Sequence, residues 1–541
     1  MLRMIIVAIA SFAFFGSLRV AAQHEEHAGS ATAEKLGTVH FDNSCAPAVT
    51  ADFDRAVALL HSFEFSTAIE GFNRVLAADR TCAIAYWGIA LAHWGNPFAG
   101  AKSEVALQRG RGAVESGQKV GASTPRERAY IDAAGALFTA TAASQRDRVL
   151  AYDRAMDAVA RAYPHDIEAT IFHALALNQT ALPTDKTYAP QLAAAAILEP
   201  LFERYPDHPG LPHYIIHAYD HPPLAARALD AARRYSEIAP SAPHALHMPS
   251  HTFTRVGAWQ ESAATNRRSE EVALEQGVIT EALHAMDYQT YAFLQMAQDR
   301  AARDVLNRLP AVTARINPAS IGGAAPPMAG FFAATAIPAR YALERAAWDE
   351  AARLEVPTTG TPFTIAIAHF ARALGAARSG NPAAAQQDVD RLAALRGQLE
   401  NVDAYWAEQV DIQRRVAVAW VAFTTGRQNE GIAALRAAAD AEDATDKSAV
   451  TPGPLAPARE LLGEMLLEGG DAPAALAAYE ASMAKEPGRF RGAFGAARAA
   501  EAAGDSAKAR DYYSRTLAIA STADSRRAEI ERAKTYLAGA H

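Results

Sequence analysis

The sequence has little cysteine, few aromatic residues and no block of one charge. Two of its 541 residues are cysteine and 8% are aromatic. The chain contains 52 lysines and arginines and 60 aspartates and glutamates. We expect no binding to nucleic acid, because a basic patch or stripe is the usual footprint of such binding. Runs that alternate with the period of a strand are scarce, whereas alanine, the best helix former, is abundant. The composition therefore predicts an all-α protein.

Motifs of common enzyme classes are missing as well. The chain contains no His-Glu-x-x-His and no Cys-x-x-Cys, two familiar metal-binding motifs. Ser250 lies between two histidines, but no strained strand-to-helix turn surrounds it, as a nucleophile elbow requires. We assign no catalytic residue, and the sequence favours a protein without enzymatic activity.

The N-terminus has the pattern of an export signal. Arg3 precedes an apolar run over residues 4–16, and small residues at 20–22 offer a cleavage site before Gln23. The run is shorter than the roughly 20 residues that span a bilayer, and an uncleaved membrane anchor is the alternative. We expect a signal peptide over residues 1–22, an irregular segment over 23–50, and a periplasmic or secreted protein without a membrane span.

The two cysteines, Cys45 and Cys82, are free to pair in an oxidising compartment. Cys45 precedes the first predicted helix and Cys82 opens the third, so a disulfide would fix the N-terminal end of the fold. In the chain-entropy model such a bridge stabilises the protein by about 3–4 kcal/mol. Two buried free thiols are the alternative.

The C-terminal part of the chain repeats itself with a period of 34 residues. The matching residues of the two copies are Gly470 and Gly504, Asp471 and Asp505, Ala475 and Ala509, and Tyr479 and Tyr513. This is the period of the tetratricopeptide repeat, a helix–turn–helix unit, and the chain resembles that family from about residue 50 onward. The resemblance implies an α-solenoid, a right-handed superhelix of roughly ten or more stacked helix pairs. It also implies a concave groove that accepts a peptide or a partner protein.

Stretches rich in glycine and proline interrupt the helices. Residues 317–327 are the preferred boundary among them. We expect a first tetratricopeptide-like superhelix over residues 51–316, a linker over 317–327, and a second superhelix over 328–541.

Histidines are concentrated in the centre of the chain, where residues 208–251 hold seven of the 17. His213 and His217 are four residues apart, as are His247 and His251, and the second pair follows the first at an offset of 34. Residues four apart share one face of a helix. Two successive repeats are therefore predicted to carry the same pair of imidazoles on equivalent faces.

A third helix, predicted over residues 281–297, adds two further polar side chains near this face. Imidazoles on adjacent helices can bind Zn, Cu or Fe, with a carboxylate as a further ligand. The candidate ligands of such a divalent metal are His213, His217, His247, His251, His284 and Asp287. His244 lies on the same predicted face, and Asp220 is a candidate base or supporting carboxylate.

The competing interpretation of the histidines is structural, because polar side chains commonly line the groove of such solenoids or join neighbouring helices. The runs over residues 213–222 and 241–262 resemble a group of exported bacterial tetratricopeptide-repeat proteins, which implies the fold and no catalytic residue. The function that the sequence favours is an exported scaffold that binds a partner in its groove. A metal-binding protein or a metal-dependent enzyme is the alternative.

Overall fold

The computed structural model describes residues 34–139, 144–317 and 323–539. Lys35–His541 forms one compact unit. The predicted signal peptide and part of the predicted linker lie outside the described residues, so the division into two superhelices stays a prediction. None of the described helices is both long enough and apolar enough to cross a membrane.

The described residues contain α-helices and short 3-10 turns and no strand, which confirms the predicted all-α class. The first thirteen helices are α1 (Thr50–His61), α2 (Phe65–Ala78), α3 (Ala85–Trp94), α4 (Glu104–Val120), α5 (Pro125–Gly135), α6 (Gln145–Ala162), α7 (Ile167–Gln179), α8 (Ala189–Arg204), α9 (Gly210–Tyr219), α10 (Leu229–Ile238), α11 (Pro243–His247), α12 (Pro249–Val256) and α13 (Trp259–Glu275).

The second half of the chain continues the same pattern. Its helices are α14 (Ile279–Gln295), α15 (Asp299–Thr313), α16 (Pro327–Leu343), α17 (Trp348–Ala351), α18 (Pro362–Arg378), α19 (Pro382–Leu399), α20 (Ala404–Thr424), α21 (Gln428–Asp443), α22 (Ala458–Glu468), α23 (Ala472–Lys485), α24 (Phe490–Ala502), α25 (Ser506–Ile519) and α26 (Ala528–Gly539). Each helix packs mainly on its neighbours in sequence, as α13 does on α14 and α24 on α25. The chain is thus an α-solenoid of stacked, tetratricopeptide-like helix pairs, as predicted.

The predicted 34-residue repeat appears in the structure as two equivalent helix starts. Asp471 and Asp505 each cap a helix by accepting a hydrogen bond from the backbone N–H three residues on, at 3.1 and 3.0 Å. Gly470 and Gly504 precede them with φ of 87° and 78°, a left-handed conformation that favours glycine. The repeated sequence therefore specifies the same hairpin turn twice.

Two kinds of contact hold distant parts of the solenoid together. Cys45 and Cys82 form a disulfide ahead of α1 and α3, which confirms the predicted pairing. The C-terminal helices pack back on the centre of the chain, where Trp259 Nε1 donates a hydrogen bond to the carbonyl of Gly488 at 2.7 Å. Arg489, fully buried, forms an ion pair with Glu460 at 2.6 Å in the same region. The solenoid consequently folds over its own central helices.

Candidate metal centre

Six histidine side chains meet inside the solenoid, on four helices that follow one another closely. His213 and His217 lie on α9, His244 and His247 on α11, His251 on α12 and His284 on α14. All six are buried, with at most 9% of any residue exposed. The backbone stays helical through Met248, with φ −53° and ψ −37°, so Pro249 does not disturb the i, i+4 relation between His247 and His251.

The six rings form one continuous group. The centroids of His213 and His217 are 4.9 Å apart, and those of His213 and His244 are 5.1 Å apart. His247 lies 5.1 Å from His251 and 4.4 Å from His284. Within each of the two sets, His213–His217–His244 and His247–His251–His284, one potential ligand atom per residue lies within 4.8 Å of the others. We call these sets the first triad and the second triad.

The second triad has its ring orientation fixed by outer hydrogen bonds. His247 Nδ1 donates to Asn266 Oδ1 at 2.7 Å, and His251 Nδ1 donates to Asp220 Oδ2 at 2.9 Å. The Asn266 amide nitrogen donates to the carbonyl of Ser262 at 2.7 Å, which leaves only its oxygen to face His247. Since both Nδ1 atoms carry the proton, the Nε2 atoms of both neutral rings carry lone pairs.

These two lone-pair nitrogens face each other. His247 Nε2 and His251 Nε2 are 3.1 Å apart, with no proton available for a hydrogen bond between them. Two imidazole nitrogens bound at about 2.0–2.1 Å to one tetrahedral ion would lie about 3.3 Å from each other. The spacing therefore suits a shared cation and leaves no room for a water between the nitrogens. Orientation of a metal-bound histidine through its second nitrogen is the usual arrangement in metal sites.

Burial keeps five of the six imidazoles neutral, which is the form that binds metals. Loss of hydration lowers the pKa of His251 to about 4 and that of His284 to about 3. It also lowers the pKa values of His213, His217 and His247 well below the ordinary value. His284 Nδ1 has no hydrogen-bond partner in the protein. One nitrogen of the His284 ring lies within 4.8 Å of a ligand atom of each of the other two.

The first triad holds still more unpaired nitrogen atoms. His213 Nδ1 donates to the carbonyl of His61 at 2.6 Å, which leaves Nε2 with a lone pair and no partner. His217 Nε2 and both ring nitrogens of His244 also lack a partner. A buried polar atom without a hydrogen bond costs about 1–3 kcal/mol, so four in one place call for an ion or water.

A third group, His61, Glu168 and His208, has the same ligand types but a different chemistry. Glu168 accepts hydrogen bonds from His61 Nε2 at 2.8 Å and from His208 Nε2 at 2.9 Å. The other nitrogens of the two rings accept from the Tyr214 hydroxyl and the Gly210 N–H. Burial alone would raise the pKa of Glu168, but the two imidazoles outweigh it and lower that pKa. Every ring nitrogen is satisfied, so this group is a structural hydrogen-bond network.

Asp287, a predicted ligand, lies on the helix of His284 but contacts Arg340. Its Oδ1 accepts from Arg340 Nε at 2.8 Å, and both residues are fully buried. Asp220, by contrast, supports the second triad directly: besides His251, it accepts from Arg255 Nε at 2.9 Å. The structure thus brings the five predicted histidines together and pairs the predicted aspartate elsewhere.

Loops from distant parts of the chain close the histidine-bearing faces. A cavity of about 260 Å³ lies between them, lined by His217 and His244 from the first triad and His251 and His284 from the second. Its other walls come from Asn96, from residues 98–101, 324–326 and 448–450, and from Met328, Asp403 and Trp406. Phe98 stacks on His217 with ring centroids 4.3 Å apart. The site is therefore partly enclosed, with space for further ligands on the cavity side.

Sequence reasoning missed two residues of the site. Asn266, on α13, orients His247, and Glu281, on α14, places Oε2 3.7 Å from His244 Nδ1. Glu281 Oε2 also lacks a hydrogen-bond partner. Neither residue is in the histidine-rich stretch, and only the packing of α13 and α14 on α11 brings them to it.

Known proteins show only remote likenesses to this chain. No protein-family model and no curated protein matches the chain. A human IFIT1 dimer with PPP-AAAA is 9% identical, covers 88% of this chain and 91% of its own, and has a TM-score of 0.34. The APC/C hetero-tetramer Cut9–Hcn1 is 11% identical over 91% of this chain and 96% of its own, with a TM-score of 0.27. Naa15/Naa10 bound to HypK-THB is 12% identical over 90% and 71%, with a TM-score of 0.24. None of these likenesses reaches a TM-score of 0.5 or an identity of 25%.

Proposed function

We propose that the protein is an exported metal-binding protein whose second triad, His247, His251 and His284, holds a divalent ion. The observation that carries this proposal is the 3.1 Å approach of two imidazole nitrogens whose protons are both engaged on the outer side of their rings. Neutral imidazoles suit Zn, Cu, Fe and Ni, and three of them around a zinc ion leave a fourth position open. The Cys45–Cys82 disulfide supports export, because disulfides persist in oxidising compartments.

Metal sites that activate water or polarise a bound ligand have a vacant coordination position beside a cavity. In this chain Asp220 and Asn266 would orient two of the ligands, and the loops around the cavity would exclude bulk water.

Partner binding in a concave groove, the function that the sequence favours, has less support at this place. The histidine-bearing faces of α9, α11 and α14 are buried beneath the loops that line the cavity. A peptide would therefore have to bind elsewhere on the solenoid or displace these loops.

Zinc binding by the full chain, purified without a histidine tag and stripped with a chelator, tests the metal proposal. We expect calorimetric titration with Zn²⁺ to show stoichiometric binding by the wild type and fewer bound ions per chain in His251→Gln. His369→Gln is the matched control, since His369 donates to Asp388 at 2.6 Å in the C-terminal half and belongs to neither triad. Absence of binding, or equal binding by the wild type and His251→Gln, would overturn the proposal.

A further inference from the structure

The first triad has the geometry of a second ion site. Each of its three rings has a nitrogen without a hydrogen-bond partner. His213 Nδ1 donates to the His61 carbonyl, so His213 Nε2 is unprotonated and can bind an ion. His217 Nε2 and both ring nitrogens of His244 also have no hydrogen-bond partner. These residues are 0%, 9% and 4% exposed, so bulk water does not solvate the unpaired atoms. The ligand atoms of the three rings lie within 4.8 Å of each other.

The two triads are also neighbours. The ring centroids of His244 and His247 are 5.8 Å apart, and those of His217 and His251 are 6.4 Å apart. Each triad contributes two residues to the same cavity of about 260 Å³. An ion bound in either triad would therefore have its vacant coordination position toward this same cavity.

A carboxylate is available to offset the added positive charge. Glu281 accepts a hydrogen bond from the backbone N–H of Ala325 through Oε1, while Oε2 stays unpaired at 3.7 Å from His244 Nδ1. Buried charges require a nearby counter-charge. This unpaired carboxylate oxygen is therefore close enough to His244 to balance the charge of a cation bound there.

We propose that His213, His217 and His244 hold a second divalent ion of the imidazole-preferring class, so that the six histidines form a two-ion centre around one cavity. This inference rests on the proposed function, since it places the second ion beside the one that we assign to His247, His251 and His284. Paired ions that face a common space can bind one ligand between them, which a single ion cannot do.

Metal content separates the two proposals. We expect two zinc ions per chain in the wild type and in His369→Gln, and one in His217→Gln and in His251→Gln, measured by elemental analysis after removal of loosely bound metal. One ion in the wild type, kept in His217→Gln and lost in His251→Gln, would overturn the second site and leave the proposed function standing. Two ions retained in His217→Gln would overturn the assignment to this triad, and no ion in the wild type would overturn both proposals.

Electron paramagnetic resonance of the wild type tests for two adjacent ions without any variant, and so does not depend on whether a variant folds. With one equivalent of Cu²⁺ the spectrum should be that of an isolated ion. With two equivalents, adjacent ions should broaden the signal or reduce it below two spins per chain. Two isolated-ion spectra that simply add would overturn the two-ion centre.

Discussion

Asn266 Oδ1 accepts a hydrogen bond from His247 Nδ1 at 2.7 Å and so decides which nitrogen of that ring is free. The amide cannot reverse, because its nitrogen donates to the Ser262 carbonyl one turn earlier on α13. A ring held in this way presents Nε2 to the inside of the second triad. Asn266 is therefore a positioning residue for the proposed ion.

Replacement of Asn266 by alanine should weaken zinc binding without abolishing the site. Loss of such an outer partner typically lowers metal affinity 10–100-fold, because the ligand is no longer oriented. We expect that range for Asn266→Ala in competition with a chromophoric chelator, with the number of ions per chain unchanged. Ser262→Ala, a buried neighbour on the same helix, is the control. An affinity that falls equally in both variants would mean that packing alone is responsible.

The ion pair between Asp287 and Arg340 predicts a different result for the predicted aspartate ligand. Asp287→Asn should leave the metal content unchanged, because Asp287 Oδ1 accepts from Arg340 Nε and the ion pair holds the carboxylate toward α16. The same change should lower the free energy of unfolding by about 3–5 kcal/mol, since it leaves a buried guanidinium without its counter-charge. Urea unfolding together with elemental analysis measures both. Loss of metal at unchanged stability would show that Asp287 is a ligand after all.

The repeat register explains how much of the site was predictable. His213 and His217 recur as His247 and His251 at the repeat length, and equal positions in stacked repeats present equal faces to the interior. The four side chains could therefore be placed together from spacing alone. His284 could be placed only near this face, because the repeat that carries it does not keep the 34-residue spacing.

Contacts between residues far apart in the chain could not be predicted from the sequence. Asp287 is three residues from His284, so helical periodicity puts both near one face, yet Arg340 on α16 captures the carboxylate. The loops at residues 96–101 and 448–450 have no periodic pattern, and only the curvature of the solenoid brings them over the histidines. Helical periodicity predicts which side chains share a helix face, but it does not predict which distant residues pack on that face.

Reduction of the Cys45–Cys82 disulfide should destabilise the N-terminal end of the solenoid. The cysteines are 37 residues apart, and the chain-entropy model gives about 4 kcal/mol for a loop of this length. We expect a reductant to lower the urea midpoint of the wild type and to leave that of a Cys45→Ala/Cys82→Ala double variant unchanged. Titration of two free thiols in denatured, unreduced wild type would contradict the pairing.

Glu442 should give the protein a pH-dependent stability near neutrality. Burial is the main influence on this carboxyl and raises its pKa from 4.5 to about 7, although its Oε2 accepts a hydrogen bond from the Ala458 N–H at 2.7 Å. A carboxyl whose pKa is raised by folding stabilises the protein fully below the pKa of the unfolded chain, and this stabilisation is lost as the pH rises toward the folded-state value.

Glutamine at this position keeps an acceptor for the Ala458 N–H and cannot ionise. Relative to the wild type, Glu442→Gln should therefore gain about 1–3 kcal/mol in free energy of unfolding between pH 5 and pH 8. Urea unfolding of both proteins at the two pH values measures this difference. Glu430→Gln, an exposed position on the same helix, should show none. If the difference between Glu442→Gln and the wild type stays constant across this range, the carboxyl is already ionised at pH 5 in the folded protein, and its burial does not hold the proton.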